Sequence, residues 1–225
     1  MVKNQYVDFV TDEHFLNCVK YVCDAYEDNT KPEWHNGRDP FKLIFDTINS
    51  KSSFPDWETQ ELMRQADKTI NNRIGEFHQK LLGGVNGWTD LGTGDDIKLD
   101  LKKDDNTIFL ELKNKFNTVN GDSLGALRRK LENNLETYPN SVNYWAFLIS
   151  KNGSSNEIIW KYKDKTISNI KKIWGSNVYS LVTSQENALE KTWKAMPHAL
   201  QKILKSDYEF VDPDGLIDDH FRNAF

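Results

Sequence analysis

Residues 92–115 read GTGDDIKLDLKKDDNTIFLELKNK. From Asp96 to Leu101 polar and apolar residues alternate, Lys102 to Asn106 is polar, and from Thr107 to Lys113 the alternation resumes. Two period-two runs joined by a short polar turn predict an antiparallel hairpin. Alternate side chains of a strand share a face. Glu111 and Lys113 therefore point one way, and Ile108, Leu110 and Leu112 the other. The neighbouring strand brings Asp96 to the same end, with Lys98 and Asp100 as its face partners. The reading gathers two carboxylates and an ammonium on the wet face of a hairpin whose other face is buried.

Upstream, Cys18, Val19, Val22 and Tyr26 sit at helical spacings, and TKPEWHNGRDP reads as a loop. FKLIFDTI is short, apolar and ambiguous in type, and SKSSFPD is a break. Asp56 is placed to cap a long helix whose apolar stripe is Leu62, Ala66, Ile70, Ile74, Phe77 and Leu81, ending in a left-handed cap at Gly83-Gly84. Downstream, Leu124, Leu127, Leu131 and Leu135 mark a second amphipathic helix, with Arg128, Arg129 and Lys130 on its exposed side. VNYWAFLI (142–149) reads as a strand covered on both faces. Ile158 to Trp160 and Val178 to Val182 are further strand candidates, and Thr183 with Glu186 matches a capping box for a last helix that Pro197 breaks or kinks. The acidic tail reads as loop with short turns. The sum is an α/β fold in one domain, 1–225, with a mixed sheet of about four or five strands flanked by helices.

Two carboxylates and a lysine at one hairpin end suit phosphodiester hydrolysis. Hard oxygen ligands hold magnesium, which keeps several waters. The ion lowers the pKa of a water and offsets charge on the phosphate. The lysine orients the attacking water, and the acids keep it protonated. Glu76, on the long helix, is an accessory acid candidate. Asn114, Lys115, Asn117 and Thr118, just after the Glu-Lys strand, and Arg128 and Arg129 are candidates for DNA contact. His78 reads as a surface histidine. His35-Asn36 has no second histidine near it in sequence, which disfavours a histidine-metal nuclease.

The net charge of −5 over 225 residues excludes a protein that coats nucleic acid by charge alone. A local basic cleft is compatible with it, and basic residues do cluster at 113–115, 128–130, 161–165 and 171–172. The hydrophobic fraction of 38% and charged fraction of 28% are those of a globular chain. Neither a signal-peptide run nor a membrane-length apolar stretch is present, so the expected location is cytoplasmic. Cys18 and Cys23 lack a His/Cys cluster for zinc and read as reduced core thiols.

Gly94-Asp95-Asp96-Ile97 followed by Glu111-Leu112-Lys113 resembles the PD-D/E-x-K nuclease superfamily. More narrowly, RQADKTINNRIGEFHQKLLGG (64–84), GWTDLGTGDDIKLD (87–100) and ELKNKFNTVNG (111–121) resemble the type II restriction endonuclease family named for Eco-forty-seven-two. The resemblance implies a restriction-endonuclease-like core and cleavage of double-stranded DNA at the palindrome GGNCC, leaving 5′-phosphates. It also implies a magnesium cofactor that manganese can replace, a homodimer, and a cognate DNA methyltransferase protecting the host. Carried over by position, Asp96 and Glu111 are the metal ligands and Lys113 the catalytic lysine. The proline of the superfamily motif is absent, which leaves the first acid open among Asp95, Asp96 and Asp100, with Asp96 preferred. The competing functions are a repair or recombination nuclease on the same scaffold, and an inactive DNA-binding module.

Overall fold

The computed structural model describes residues 4–28, 39–92, 97–207, 210–211 and 215–225. Six strands join in one mixed sheet: β1 (Trp88–Asp90), β2 (Leu101–Lys103), β3 (Ile108–Lys115), β4 (Val142–Ile149), β5 (Asn156–Ile159) and β6 (Ile170–Trp174), in the order β1-β2-β3-β4-β6-β5. β1, β2 and β3 pair antiparallel; β3, β4 and β6 run parallel; β5 returns antiparallel on β6. The α/β class and the hairpin leading into a mixed sheet are as expected, with one strand more than the pattern suggested.

Side-chain alternation splits the core into two layers. Ile108, Leu110, Leu112, Tyr144, Ala146 and Leu148 face helices α1 (Asp12–Asp28), α3 (Phe54–Gly83), α5 (Ser176–Thr183) and α6 (Ala188–Leu204). Phe109, Trp145 and Phe147 face α4 (Gly121–Thr137), where Leu127 and Leu131 cover them. β4 is buried on both faces, which is why VNYWAFLI shows no alternation. Cys18 and Cys23 are free and buried, as read.

Several expectations are corrected. FKLIFDTI lies in a helix, α2 (Pro40–Ser50), capped by Asp39, whose side chain accepts from the amides of Phe41 and Lys42. Ser53, not Asp56, caps α3; Asp56 is the reciprocal partner of the capping box. Gly84 ends α3 in right-handed geometry. The reason for glycine there is proximity: a Cβ on Gly83 would meet Asp90 atoms at 2.5–3.0 Å. The first strand of the hairpin spans only Leu101–Lys103, because Lys98 has φ of 57° and breaks the extended run. Lys102 and Lys103 are therefore strand, and the turn lies at 104–106. Val178 to Val182 is helical within α5, with Val178, Tyr179 and Val182 buried. α6 has Asn187 before it without a side-chain cap, and it runs through Pro197 unbroken. The tail carries α7 (Leu216–Ala224). Most of the loop read at 30–40 and the His35-Asn36 pair lie outside the described residues. No described helix is long and apolar enough to cross a membrane.

His78 is half-buried, not an open surface histidine. Its Nδ1 lies 2.7 Å from the Tyr179 hydroxyl, between the rings of Phe77 and Tyr179. Burial pushes its pKa down to about 3. A histidine held neutral in the folded chain takes up a proton on unfolding once the pH is below its free value, about 6.5. Stability from this group is thus complete above about pH 6.5 and lost as the pH falls toward 3. We predict that urea midpoints fall as the pH drops from 7 to 4, and that His78→Gln flattens part of that fall. An unchanged slope in the variant would exclude His78 as the cause.

Candidate active site

β3 is apolar at Phe109, Leu110 and Leu112, yet it carries Glu111 in its middle. Glu111 is only 7% exposed. The hairpin face read as wet is covered by α4, and the carboxylate is neutralised where it lies. Its Oε1 is 2.8 Å from Lys113 Nζ, two residues along the same face. Its Oε2 is held by Lys130 of α4. A carboxylate removed from water without such partners would cost several kcal/mol.

Asp100 completes the group. The pairing Leu101↔Leu110 sets β2 against β3, and the next step of that register puts Asp100 opposite Glu111. The Asp100 amide donates to the Leu110 carbonyl (3.0 Å), and its Oδ2 accepts from the Leu112 amide (2.7 Å). The same oxygen is 3.4 Å from Lys113 Nζ. Burial, then the charge of Glu111, push the Asp100 pKa up, against the pull of Lys113, the Leu112 amide and Lys130. Burial works against the charge on Lys113, but Asp100 and Glu111 outweigh it, so its pKa lies above the ordinary lysine value.

The two carboxylates thus converge on the point now occupied by one ammonium. Oxygen ligands from a buried and a half-buried acid fit a hard divalent cation, whose other ligands come from water and substrate. Among the described residues no group of three or more His, Cys, Asp or Glu side chains gathers to cage a metal unaided. Beside the site lies a cleft of about 400 Å³ lined by Ile97, Lys98, Lys130, Asn133, Asn134, Thr137 and Tyr138.

The other sequence candidates are distributed as follows. Asp95 and Asp96 lie outside the described residues. Glu76 is exposed on α3 and bonded by the Tyr21 hydroxyl, not by the acid pair. Asn114 is half-buried at the end of β3; Lys115, Asn117 and Thr118 are exposed around the turn that follows, with Thr118 Oγ1 donating to the Lys115 carbonyl (2.8 Å). Arg129 is exposed. Arg128 is not on the exposed side of α4: it is 2% exposed, donates to Glu132 Oε1 (2.8 Å) and to the Trp160 carbonyl (2.8 Å), and stacks over the Trp160 ring. Of the other basic clusters, Lys165 pairs with Glu132, Lys171 pairs with Glu157, and Lys172 lies over Trp145.

Lys130 was missed as a site residue. The signal was present, since Leu127, Lys130, Leu131 and Asn134 stand at i, i+3, i+4 and i+7, one face of a helix.

Comparison with known proteins matches residues 7–205 to the family described as Eco47II restriction endonuclease. The chain belongs to the Eco47II restriction endonuclease family. Two curated relatives span most of its length. The type II restriction enzyme Sau96I of Staphylococcus aureus is 32% identical over 220 residues, covering 90% of this chain and 83% of its own. The type II restriction enzyme Eco47II of Escherichia coli is 32% identical over 234 residues, covering 94% and 95%. As a member of the Eco47II family the protein is a site-specific deoxyribonuclease.

Arg128 separates structural from substrate-binding basicity. We predict that Arg128→Ala lowers unfolding stability by about 3–5 kcal/mol, because it breaks a buried ion pair and frees a carbonyl. In the folded fraction, nonspecific DNA affinity and its salt slope stay as in the wild type. A salt slope reduced by about one unit, measured by fluorescence anisotropy, would instead mark a phosphate contact.

Proposed function

We propose that the protein hydrolyses double-stranded DNA at GGNCC, leaving 5′-phosphates, with magnesium held by Asp100 and Glu111, and that manganese can substitute. The observation that carries this reading is the convergence of two carboxylates, buried Glu111 and half-buried Asp100, on one lysine, in a chain matched to the family over residues 7–205. The site specificity rests on the family resemblance.

When bound, the metal supplies positive charge that lowers the pKa of a water and offsets charge building on the phosphate. Lys113, kept protonated by the two acids, orients the attacking water and donates to a nonbridging phosphate oxygen. Lys130 and Lys98 border the adjoining cleft and bring positive charge to the DNA backbone there. The Leu112 amide fixes the Asp100 carboxylate, so the acid pair is formed before substrate arrives.

A palindrome is read most simply by a two-fold dimer, each subunit cutting one strand. We take the active form to be a homodimer that works beside a methyltransferase protecting the same sequence. Arg129, Lys115 and Asn117 are the exposed candidates for reading guanine edges.

Three outcomes are expected from plasmid cleavage with purified protein. EDTA abolishes cutting, and added magnesium restores it; full activity in EDTA would overturn the metal assignment. Glu111→Gln, Lys113→Ala and Asp100→Asn each slow cleavage by roughly 10²–10³-fold or more while circular dichroism stays native. Asp96→Asn, assayed beside Asp100→Asn, decides the first acid: the larger loss identifies it. Sequenced fragment ends map to GGNCC with the central base free. Ends without a shared sequence, or clustered at nicks and branches, would favour the repair nuclease.

A further inference from the structure

Helix α2 is amphipathic in the reverse of the usual sense. Its packing partner is α3, and the face it turns there is polar. Lys42 pairs with Asp46 and with Glu61 (3.2 Å), Asp46 accepts from Trp57 Nε1 (2.9 Å), and Glu61 accepts from Arg64 (2.5 and 2.8 Å). Its outward face carries Phe41, Ile44, Phe45 and Ile48, spaced i, i+3, i+4 and i+7. That spacing normally marks the buried stripe of a helix. Here Phe41 is 74%, Phe45 68% and Ile48 70% exposed, and no residue of α2 is buried. Phe54 and Met63 of α3 are exposed as well.

We propose that this α2–α3 arm is the surface on which two copies of the chain associate. The choice of a second copy as partner rests on the dimeric reading above; the exposed stripe itself does not. The size is suitable. Phe41, Ile44, Phe45 and Ile48 together offer roughly 500 Å² of apolar surface, so two copies cover about 1,000 Å², the size at which a specific interface begins. Scattered exposed apolar residues are ordinary, but a patch of this size on one face marks an interaction surface.

The charge on the arm selects among occupants. Residues 39–70 hold six acids (Asp39, Asp46, Asp56, Glu58, Glu61, Asp67) against four bases (Lys42, Lys51, Arg64, Lys68). A slightly acidic surface does not suit phosphate or an anionic membrane, which require Lys and Arg around the apolar stripe. An isologous contact asks only that a patch tolerate its own image, and an apolar centre with both signs at its border does so. Two helical hairpins packed face to face make a four-helix bundle.

The full-length chain is examined by sedimentation equilibrium as wild type, Phe45→Glu and Ile48→Glu, with Leu204→Glu as an exposed apolar control elsewhere. The expected result is a wild-type dimer whose dissociation constant rises about 100-fold or more in either arm variant, since each substitution appears twice in the interface. Leu204→Glu leaves it unchanged. If an arm variant misfolds by circular dichroism, Phe45→Ala and Ile48→Ala replace it with the same expected direction. A monomeric wild type, or a dimer indifferent to both positions, overturns the proposal even if GGNCC is cut. Loss of the dimer in the arm variants sustains it even if GGNCC is not cut, in which case the functional reading alone fails. Where both hold, the variants nick GGNCC plasmid at concentrations at which the wild type linearises it.

Discussion

Glu111 stands within the apolar run of β3, Ile108 to Leu112, and its charge must be balanced where little of it meets water. Two ammonium groups do so, Lys113 from the same strand and Lys130 from α4. The arrangement around them follows from that requirement. α4 must lie across this face of the sheet for Lys130 to arrive, and its Leu127 and Leu131 bury Phe109 and Trp145 in the same docking. Arg128, two residues before Lys130 on α4, anchors the helix to the Trp160 carbonyl in the same layer. The charge balance of Glu111 and the packing that holds α4 in place are thus one arrangement.

Asp100 shows a second economy. Its carboxylate accepts the Leu112 amide, a donor that in a longer β2 would go to a backbone carbonyl. The side chain replaces a rung of the ladder just where Lys98, with its positive φ, precludes further pairing. A glutamate at this position would place its oxygens one carbon farther out and lose that rung. The acid is therefore fixed by sheet geometry.

Much of this was legible in the sequence. The face shared by Glu111 and Lys113, the doubly covered β4 and the long helix α3 all follow from side-chain period, which reports burial directly. The register of the hairpin did not, because alternation from Asp96 to Leu101 says nothing about which residues bend; moving the turn from 102–106 to 104–106 is what brings Asp100 opposite Glu111. Val178 to Val182 and FKLIFDTI misled for a related reason. The first is a short apolar run in a helix buried among other elements, where strand and helix patterns coincide. The second presents its apolar face to solvent and its polar face to a neighbour, so pattern and burial disagree. Lys130 was visible in the α4 stripe but was grouped with its basic neighbours, whose adjacency in sequence conceals that they point in different directions.

Helix α3 spans thirty residues, about 45 Å at 1.5 Å per residue. One end carries the partner of α2. The other lies on the sheet, where Gln79 donates to Asp90 (2.7 Å) and Gly75 passes beside Asn114. It is a ruler between the arm and the acid pair. Inserting one residue midway would rotate one end against the other by about 100° and lengthen it by about 1.5 Å, while every side chain at either end kept its identity. The spacing and bearing of the acid pair from the arm are thus written in the count of residues along one helix, a quantity that point substitutions leave untouched and a single codon gained or lost does not.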